Sequence, residues 1–235
     1  MEKTCLDPSF LNVKPVNRER DLGQRLRLIV FDMDGVLVDV KSSWQFVHEA
    51  FCVDNGENVK QFVEGRMTYE EFMRRDIALW GRVHIDEIRR ILSRVQLMPG
   101  VAEAFVILKE ACLKTALISA GVSVLAERLD AALELDYVYA NRLLTDRQGL
   151  LTGEGEGTVG LLNKLDVLKK LAALENVSLQ ECAVVGDSLY DVPMFREAGL
   201  SIAFNADDHS VEEAADVVVK RKDLREILPY LTERV

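Results

Sequence analysis

Three short apolar runs stand out along the chain, and each closes on small or acidic polar residues. They are LIVFDMDGVLVD at residues 28–39, KTALISAG at 114–121 and ECAVVGD at 181–187. Short, nearly continuous apolar segments of this kind are typical of strands that are buried on both faces of a parallel sheet. The pattern therefore predicts three core strands, each of which delivers polar side chains at its carboxyl end.

Segments with helical periodicity lie between and after these strands, at residues 100–112, 161–175 and 190–198. Strands that alternate with helices indicate an α/β fold with a doubly wound, mainly parallel, Rossmann-like sheet. Ligands of such folds bind at the carboxyl ends of the strands. We therefore expect Asp32, Ser119 and Asp187 to meet in one crevice.

The segment from residue 41 to residue 98 breaks this alternation, because it carries helical patterns and no convincing strand. Thr68 followed by Glu71 is a capping-box signature, and the sequence Met98-Pro99-Gly100 ends the helical region. Helices are predicted at residues 41–54, 59–64, 68–80 and 85–95.

These boundaries divide the chain into three parts. We expect an N-terminal extension at residues 1–25, a catalytic core formed by 26–40 and 99–235, and an inserted helical cap at 41–98, which we call the cap segment. Insertions of this kind often exclude water and select the substrate.

The region after residue 135 is predicted to complete the sheet. DYVYANRLL and the turn from Asp146 to Gly149 predict a strand and a hairpin, whereas LTGEGEGTVG holds four glycines and is expected to be a loop. SIAFNA and ADVVVK predict two short strands around a brief helix at 209–214. KDLREILPYL predicts a terminal helix.

Charge and composition limit the possible partners. The 235 residues are 49% hydrophobic and carry a formal net charge of -10, which argues against binding to nucleic acids or anionic membranes. The four cysteines form no CxxC pair, the apolar runs are too short to span a bilayer, and residues 1–25 hold no signal-like apolar core. These features favour a cytoplasmic protein. A small-molecule substrate is expected as the partner, and a homodimer is left open. His48, His84 and His209 lack metal-ligand spacing and are expected at surface or packing positions.

Four ordered motifs carry the candidate chemistry: DMDGV with Asp32, LISAG with Ser119, LLNKLDVL with Lys164, and GDSLYD with Asp187. Together they resemble the haloacid dehalogenase superfamily, and specifically its phosphoserine-phosphatase-like branch with a helical cap after the first strand. The resemblance covers roughly residues 27–233.

The two acids of the first motif suit covalent phosphoryl transfer, because a carboxylate nucleophile needs a second group that manages the leaving oxygen. The resemblance implies that Asp32 is the nucleophile and forms an aspartyl-phosphate. It implies that Asp34 protonates the leaving alcohol and then takes a proton from the attacking water. It also implies Mg²⁺, with Mn²⁺ as the alternative, bound by the carboxylates of Asp32 and Asp187 and the backbone carbonyl of Asp34.

The resemblance implies that the other motif residues bind the transferred phosphate. Ser119 would donate a hydrogen bond to it, assisted by the backbone amides of Ala120 and Met33. Lys164 would supply a compact positive charge. Asp191, one helical turn after Asp187, is expected to orient the lysine or a water ligand of the metal.

Two positions in the cap segment depart from that branch. Lys41 stands where phosphoserine phosphatases have a glutamate that holds the substrate's amino group, and Asp76 stands where they have an arginine that holds its carboxylate. Both charges are reversed, which predicts that free phosphoserine is a poor substrate unless Arg74 or Arg75 compensates through a small shift of the helix. A salt bridge between Lys41 and Asp76, unconnected with substrate, is an equally simple interpretation.

We therefore expect a Mg²⁺-dependent phosphomonoester hydrolase that acts on a small phosphorylated metabolite with altered cap specificity. A phosphotransferase or phosphomutase of the same superfamily, which would pass the phosphoryl group to a sugar hydroxyl, is the first alternative. A noncatalytic binding module is the second alternative. It is disfavoured because a binding protein has no chemical reason to keep both Asp32 and Asp34. Dehalogenation needs no metal and one aspartate, so Asp34 and Asp187 disfavour it.

Overall fold

The computed structural model describes residues 25–234, and a seven-stranded sheet forms their centre. The strands are β1 (Leu28–Phe31), β2 (Lys114–Val122), β3 (Tyr137–Thr145), β4 (Leu151–Glu156), β5 (Cys182–Gly186), β6 (Leu200–Phe204) and β7 (Val217–Val219). They lie in the order β4-β3-β2-β1-β5-β6-β7, and only the β3–β4 pair is antiparallel. The predicted α/β fold with a mainly parallel sheet is confirmed. Residues 1–24 of the predicted N-terminal extension lie outside the described residues.

The register of the central strands brings their carboxyl ends to one edge of the sheet. Phe31, the last residue of β1, lies opposite Leu117 of β2 and Val185 of β5. Asp32 extends the β1–β5 ladder, because its backbone amide donates to the Val185 carbonyl at 3.0 Å. The polar residues that follow these strands therefore emerge at the same edge.

Helices surround the sheet and also form most of the cap segment. Their bounds are α1 (Ser43–Ala50), α2 (Gly56–Val63), α3 (Tyr69–Leu79), α4 (Ile85–Leu92), α5 (Val101–Glu110), α6 (Ser123–Leu133), α7 (Lys164–Leu174), α8 (Val192–Glu197), α9 (His209–Ala214) and α10 (Leu228–Thr232). The first four lie in the cap segment, where the sequence predicts helices. No described helix has the length and apolar character needed to cross a membrane.

Side chains of β1 alternate between two apolar clusters, because successive residues of a strand point to opposite faces. Ile29 and Phe31 belong to the cluster that contains Phe105 of α5, whereas Leu28 and Val30 belong to the cluster that contains Leu168 of α7. Helices therefore cover both faces of the sheet, and β1 is buried along its whole length.

The prediction of a loop at LTGEGEGTVG is wrong over its first half, which forms strand β4. Its glycines are compatible with a strand because β4 lies at the sheet edge and α3 of the cap segment packs closely against it. A Cβ at Gly155 would lie 2.9 Å from Ile77 Cδ1 and 3.0 Å from the Arg142 carbonyl oxygen. Glycine at this position therefore permits a close helix–strand contact.

Two local predictions are only partly correct. Thr68 caps α3 by accepting a hydrogen bond from the Glu71 amide at 3.2 Å, but the Glu71 carboxylate accepts hydrogen bonds from Arg74 and Arg75. The terminal helix is divided into a 3₁₀ turn at Leu224–Ile227 and the short helix α10.

Candidate active site

The Asp32 carboxylate lies at the carboxyl end of the central strand and is nearly enclosed, with the residue 6% exposed. Its Oδ1 accepts a hydrogen bond from the Met33 amide at 2.7 Å, and its Oδ2 lies 2.7 Å from the Lys164 ammonium. Burial raises the pKa of Asp32, and Lys164 opposes that shift. The carboxylate is therefore held in a fixed orientation by one amide and one cation.

Lys164 is the first residue of α7, and its ammonium lies between two buried carboxylates. Its Nζ is 2.7 Å from Asp32 Oδ2 and 2.7 Å from Asp191 Oδ1, and the residue is 3% exposed. Burial alone would lower the pKa of Lys164, but the charges of Asp191 and Asp32 raise it above its usual value. Lys164 is therefore a permanent positive charge inside the site.

Asp191 holds both the lysine and the loop that carries Asp187. Its Oδ2 accepts hydrogen bonds from the Asp187 amide at 3.2 Å, the Ser188 amide at 3.1 Å and the Ser188 hydroxyl at 2.9 Å. With the Lys164 contact on Oδ1, the carboxylate accepts four hydrogen bonds, three of them on Oδ2. Asp191 therefore holds both Lys164 and the backbone of the Asp187 loop in place.

The two carboxylate oxygens of Asp34 differ, because one accepts hydrogen bonds and the other accepts none from the described residues. The amide and the hydroxyl of Ser43 both donate to Oδ2, each at 2.8 Å. Oδ1 is shielded from solvent and has no hydrogen-bond partner among the described residues. Burial raises the pKa of Asp34 to about 7. This is the profile of an acid that can carry a proton near neutral pH.

The second motif lies beside these acids at the end of β2. Ser119 is buried, and its hydroxyl accepts a hydrogen bond from the Gly121 amide at 3.1 Å. The Ala120 carbonyl accepts hydrogen bonds from Asn141 Nδ2 at 2.9 Å, Trp44 Nε1 at 3.0 Å and the Tyr69 hydroxyl at 3.4 Å. The cap segment supplies Trp44 and Tyr69, so it contacts the core directly at the second motif.

The acidic side chains at this edge fit a divalent cation. Oxygen atoms of Asp32, Asp187 and Asp191 lie within 4.8 Å of one another. Burial, followed by the negative charges of Asp32 and Asp191, raises the pKa of Asp187 well above its usual range. A hard cation would offset this repulsion. Asp191 already accepts four hydrogen bonds, so Asp32 and Asp187 are the carboxylates that fit best as ligands.

The comparisons with known proteins agree with this arrangement. A family model for haloacid dehalogenase-like hydrolases matches residues 26–199. The chain belongs to the haloacid dehalogenase-like hydrolase family. A phosphoserine phosphatase of Methanocaldococcus jannaschii is 33% identical to it over 210 residues, which are 88% of this chain and 99% of that protein.

Solved structures place this hydrolase in the phosphoserine-phosphatase-like branch of the family. A substrate-bound phosphoserine phosphatase complex aligns with a TM-score of 0.75 and 31% identity, over 88% of this chain and 99% of the other. A phospho-aspartyl intermediate analogue of phosphoserine phosphatase aligns with a TM-score of 0.74 and 32% identity, over 88% and 100%.

Gly35 follows the two acids of the first motif and is packed against Asp187. Its φ of 79° lies in the left-handed region, and a Cβ there would lie 2.0 Å from Asp187 Oδ2. Gly35→Ala is therefore expected to displace Asp187 and to lower kcat/KM for phosphate-ester hydrolysis about 10²-fold. Steady-state kinetics on the purified variant measure this.

Gly65→Ala is the matched control for that variant. Gly65 has a similar φ of 68°, but nothing lies within 4 Å of its added Cβ. The control therefore carries the same backbone strain without the contact, and it should retain activity. If Gly35→Ala also retained activity, the placement of Asp187 would not matter for turnover.

Lys41, the first of the two departures from the family pattern, lies beside the acidic cluster. Its ammonium is 2.8 Å from Asp207 Oδ2 and 3.9 Å from Asp187 Oδ2, and its side chain is 57% exposed. Within the described residues it makes no ion pair with Asp76. The interpretation of the two as a cap salt bridge is therefore wrong, because each has other partners.

Asp76 is buried inside the cap segment among uncharged donors. Asn58 Nδ2 donates to its Oδ1 at 2.8 Å, and Asn55 Nδ2 donates to its Oδ2 at 2.9 Å. His48 Nε2 lies 3.1 Å from the same Oδ2, and Trp80 Nε1 donates to His48 Nδ1 at 2.8 Å. Because Nδ1 accepts, the proton of the neutral imidazole is on Nε2 and points to Asp76. We call these five residues the Asp76 cluster.

The two arginines beside Asp76 are directed away from that cluster. Arg74 Nε and Arg75 Nε donate to the Glu71 carboxylate at 2.9 Å and 2.7 Å, and Arg75 also donates to Gln61 at 3.0 Å. Both side chains are exposed. The compensation considered from the sequence would require either arginine to leave these partners.

Several residues of the site are not apparent from the motifs. Ser43, Trp44 and Tyr69 come from the cap segment, and nothing in the sequence marks them as partners of the first two motifs. The sequence marks Asn141 only weakly, as a polar residue that interrupts the apolar pattern of a strand. Its side chain joins the Ala120 carbonyl to the Val159 backbone, with Nδ2 at 2.8 Å from the Val159 carbonyl.

Proposed function

We propose that this hydrolase transfers the phosphoryl group of a small phosphomonoester first to Asp32 and then to water. Asp32 is held by Lys164 and by the Met33 amide at the edge of the sheet, with one lobe of each oxygen still free to react. Attack by this carboxylate on phosphorus forms an aspartyl-phosphate and breaks the bond to the leaving oxygen.

Asp34 would manage the protons of both steps. Its unpartnered Oδ1 would give a proton to the leaving alcohol and then take one from the water that attacks the aspartyl-phosphate. The acid is thereby returned to its starting state after each turnover.

The surrounding groups would stabilise the transferred phosphoryl group. Lys164 would supply a fixed positive charge, and the Ser119 hydroxyl and the Ala120 amide would donate hydrogen bonds. Mg²⁺, held by the carboxylates of Asp32 and Asp187 and the Asp34 carbonyl, would neutralise charge on the phosphate oxygens.

We further propose that the alcohol part of the substrate carries no ammonium group, which excludes free phosphoserine as the preferred substrate. The observation that supports this is the position of Lys41, whose ammonium is 3.9 Å from Asp187. A second ammonium beside it would be repelled, whereas an anionic group would be attracted.

The surroundings of Asp76 support the same conclusion. If phosphoserine bound as the family pattern implies, its carboxylate would face Asp76, a buried carboxylate that already accepts three hydrogen bonds. Like charges in such a setting repel, so the cap segment offers no cation for the carboxylate of an amino-acid substrate at this position.

A panel of phosphomonoesters tests this proposal. We expect kcat/KM for phosphoglycolate or a sugar phosphate to exceed that for phosphoserine by about tenfold or more, since each 1.4 kcal/mol of repulsion is a factor of ten. Release of inorganic phosphate in the presence of Mg²⁺ is the measurement. A clear preference for phosphoserine would contradict the proposed role of Lys41.

Lys41→Gln and Lys109→Gln provide the matched pair of variants. Lys109 is also exposed and ion-paired, with Glu134, but it lies at the opposite edge of the sheet, near the start of β2. Lys41→Gln should reduce the ratio of kcat/KM for the preferred ester to kcat/KM for phosphoserine. Lys109→Gln should leave this ratio unchanged.

A further inference from the structure

The structure assigns a positioning role to Ser43: it holds one oxygen of Asp34 so that the other oxygen handles the proton of the leaving group. This inference rests on the proposed function, because it concerns the proton donor of that reaction. Ser43 belongs to none of the four motifs and is the first residue of the first cap-segment helix, α1.

The contacts of Ser43 fix the direction of its hydroxyl proton. The hydroxyl oxygen accepts a hydrogen bond from the Val122 amide at 3.1 Å and lies 2.8 Å from Asp34 Oδ2. Since the Val122 amide is the donor in the first contact, the Ser43 proton is free to point to Asp34. Ser43 is fully buried, so no solvent competes for this hydrogen bond.

The Ser43 amide reinforces the same orientation. Amides in the first turn of a helix have no partner within the helix, and the Ser43 amide donates instead to Asp34 Oδ2 at 2.8 Å. Two donors on Oδ2 leave no reason for a proton to reside there. When Asp34 is protonated, the proton is therefore on Oδ1, the oxygen without a partner.

This arrangement accounts for one proton in each half of the reaction. As the bond between phosphorus and the leaving oxygen breaks, the Oδ1 proton moves to that oxygen and Asp34 becomes a carboxylate. When water attacks the aspartyl-phosphate, Oδ1 takes one water proton, the bond from phosphorus to Asp32 breaks, and inorganic phosphate leaves. Throughout, Ser43 keeps its own proton and stabilises the charge on Oδ2.

The packing around Ser43 is close enough to hold this geometry. A Cβ at Gly121 would lie 2.7 Å from the Ser43 hydroxyl oxygen and 3.1 Å from Asp34 Oδ2. The second motif, the first motif and α1 therefore meet at this hydrogen bond. Ser43 couples the position of the cap segment to the orientation of the proton donor.

Leaving-group dependence separates this role from a purely structural one. Phenyl phosphate and p-nitrophenyl phosphate have similar shapes, but phenolate is the more basic leaving group and depends more on protonation. We expect Ser43→Ala to lower kcat/KM for phenyl phosphate by about 10²-fold, the lower range for general acid catalysis, and to affect p-nitrophenyl phosphate far less. The parameter kcat/KM is suitable because it covers the steps up to departure of the alcohol.

Two further variants keep the test decisive. Ser43→Cys keeps the shape of the side chain with a slightly larger atom but offers a weak donor, so it should show the same selective loss even if Ser43→Ala folds poorly. Ser42→Ala removes the N-cap of the same helix, where the Ser42 hydroxyl accepts from the Gln45 amide at 3.2 Å, without touching Asp34. This control should show no leaving-group selectivity.

Equal losses for both esters in folded Ser43 variants, or no loss, would overturn the role of Ser43 and leave the proposed function intact. If the wild-type protein with Mg²⁺ hydrolysed neither ester, nor any compound of the phosphomonoester panel, the proposed function itself would fail and this inference with it.

Discussion

Asp32→Asn is expected to reduce phosphate release by at least about 10⁴-fold, because an amide cannot act as the nucleophile that a carboxylate provides. The fold should survive, since the amide oxygen of asparagine can still accept the hydrogen bond that Met33 donates to Oδ1. Turnover with Mg²⁺ and thermal unfolding, measured on the same preparation, separate loss of chemistry from loss of structure.

Asp39→Asn is a suitable control for that substitution. Asp39 is an exposed aspartate close to the first motif, and it pairs with Lys222 at the surface. Its replacement should leave turnover unchanged. A direct check is acid quenching of the wild-type reaction followed by mass spectrometry, which should place a phosphoryl group on Asp32. Substantial turnover by Asp32→Asn would mean that another group attacks phosphorus.

Lys164→Met is expected to damage both activity and stability. The lysine is the cation between two buried carboxylates, and its removal leaves Asp32 and Asp191 facing each other without compensation. Breaking a buried ion pair in this way costs about 3–5 kcal/mol of unfolding free energy. Loss of a charge directed at the transferred phosphate is expected to lower kcat by about 10²–10³-fold. Chemical denaturation and steady-state kinetics measure the two effects.

Two comparisons isolate the buried charge. Lys169→Met changes an exposed lysine on the same helix, so it should alter neither property. Combining Lys164→Met with Asp191→Asn removes one of the two carboxylates left without a cation, and the double variant should regain part of the lost stability but none of the activity. Failure to regain stability would indicate that Lys164 contributes through packing of its methylene chain instead of its charge.

The edge of the sheet that carries the candidate site was predictable because it follows from strand periodicity. Residues that end parallel strands must emerge at one edge, so apolar runs closing on Asp32, Ser119 and Asp187 were sufficient to bring them together. Lys164 and Asp191 needed the order of the motifs, because a lysine at the start of a helix has no distinctive pattern of its own.

The cap segment was predictable only as a set of helices. Its contacts depend on how helices pack in three dimensions, and residues separated by many positions meet there. The Ser43 hydroxyl on α1 donates to Asp34 of the first motif. His48 on α1 contacts Asp76 on α3. Strand β4 departs from the predicted loop for a related reason: glycine weakens a strand locally, but contact with Ile77 of α3 favours glycine at residue 155.

The Asp76 cluster has a consequence for how specificity in this branch can diverge. An arginine at position 76 would meet the Asn55 and Asn58 amides and the imidazole N–H as they now donate to Asp76, and it would bring a buried charge with no carboxylate to pair it. Exchange between the two charge patterns therefore requires concerted replacement of several neighbours. A substitution at position 76 is therefore expected to be epistatic with these neighbours, so its effect on folding depends on which residues accompany it.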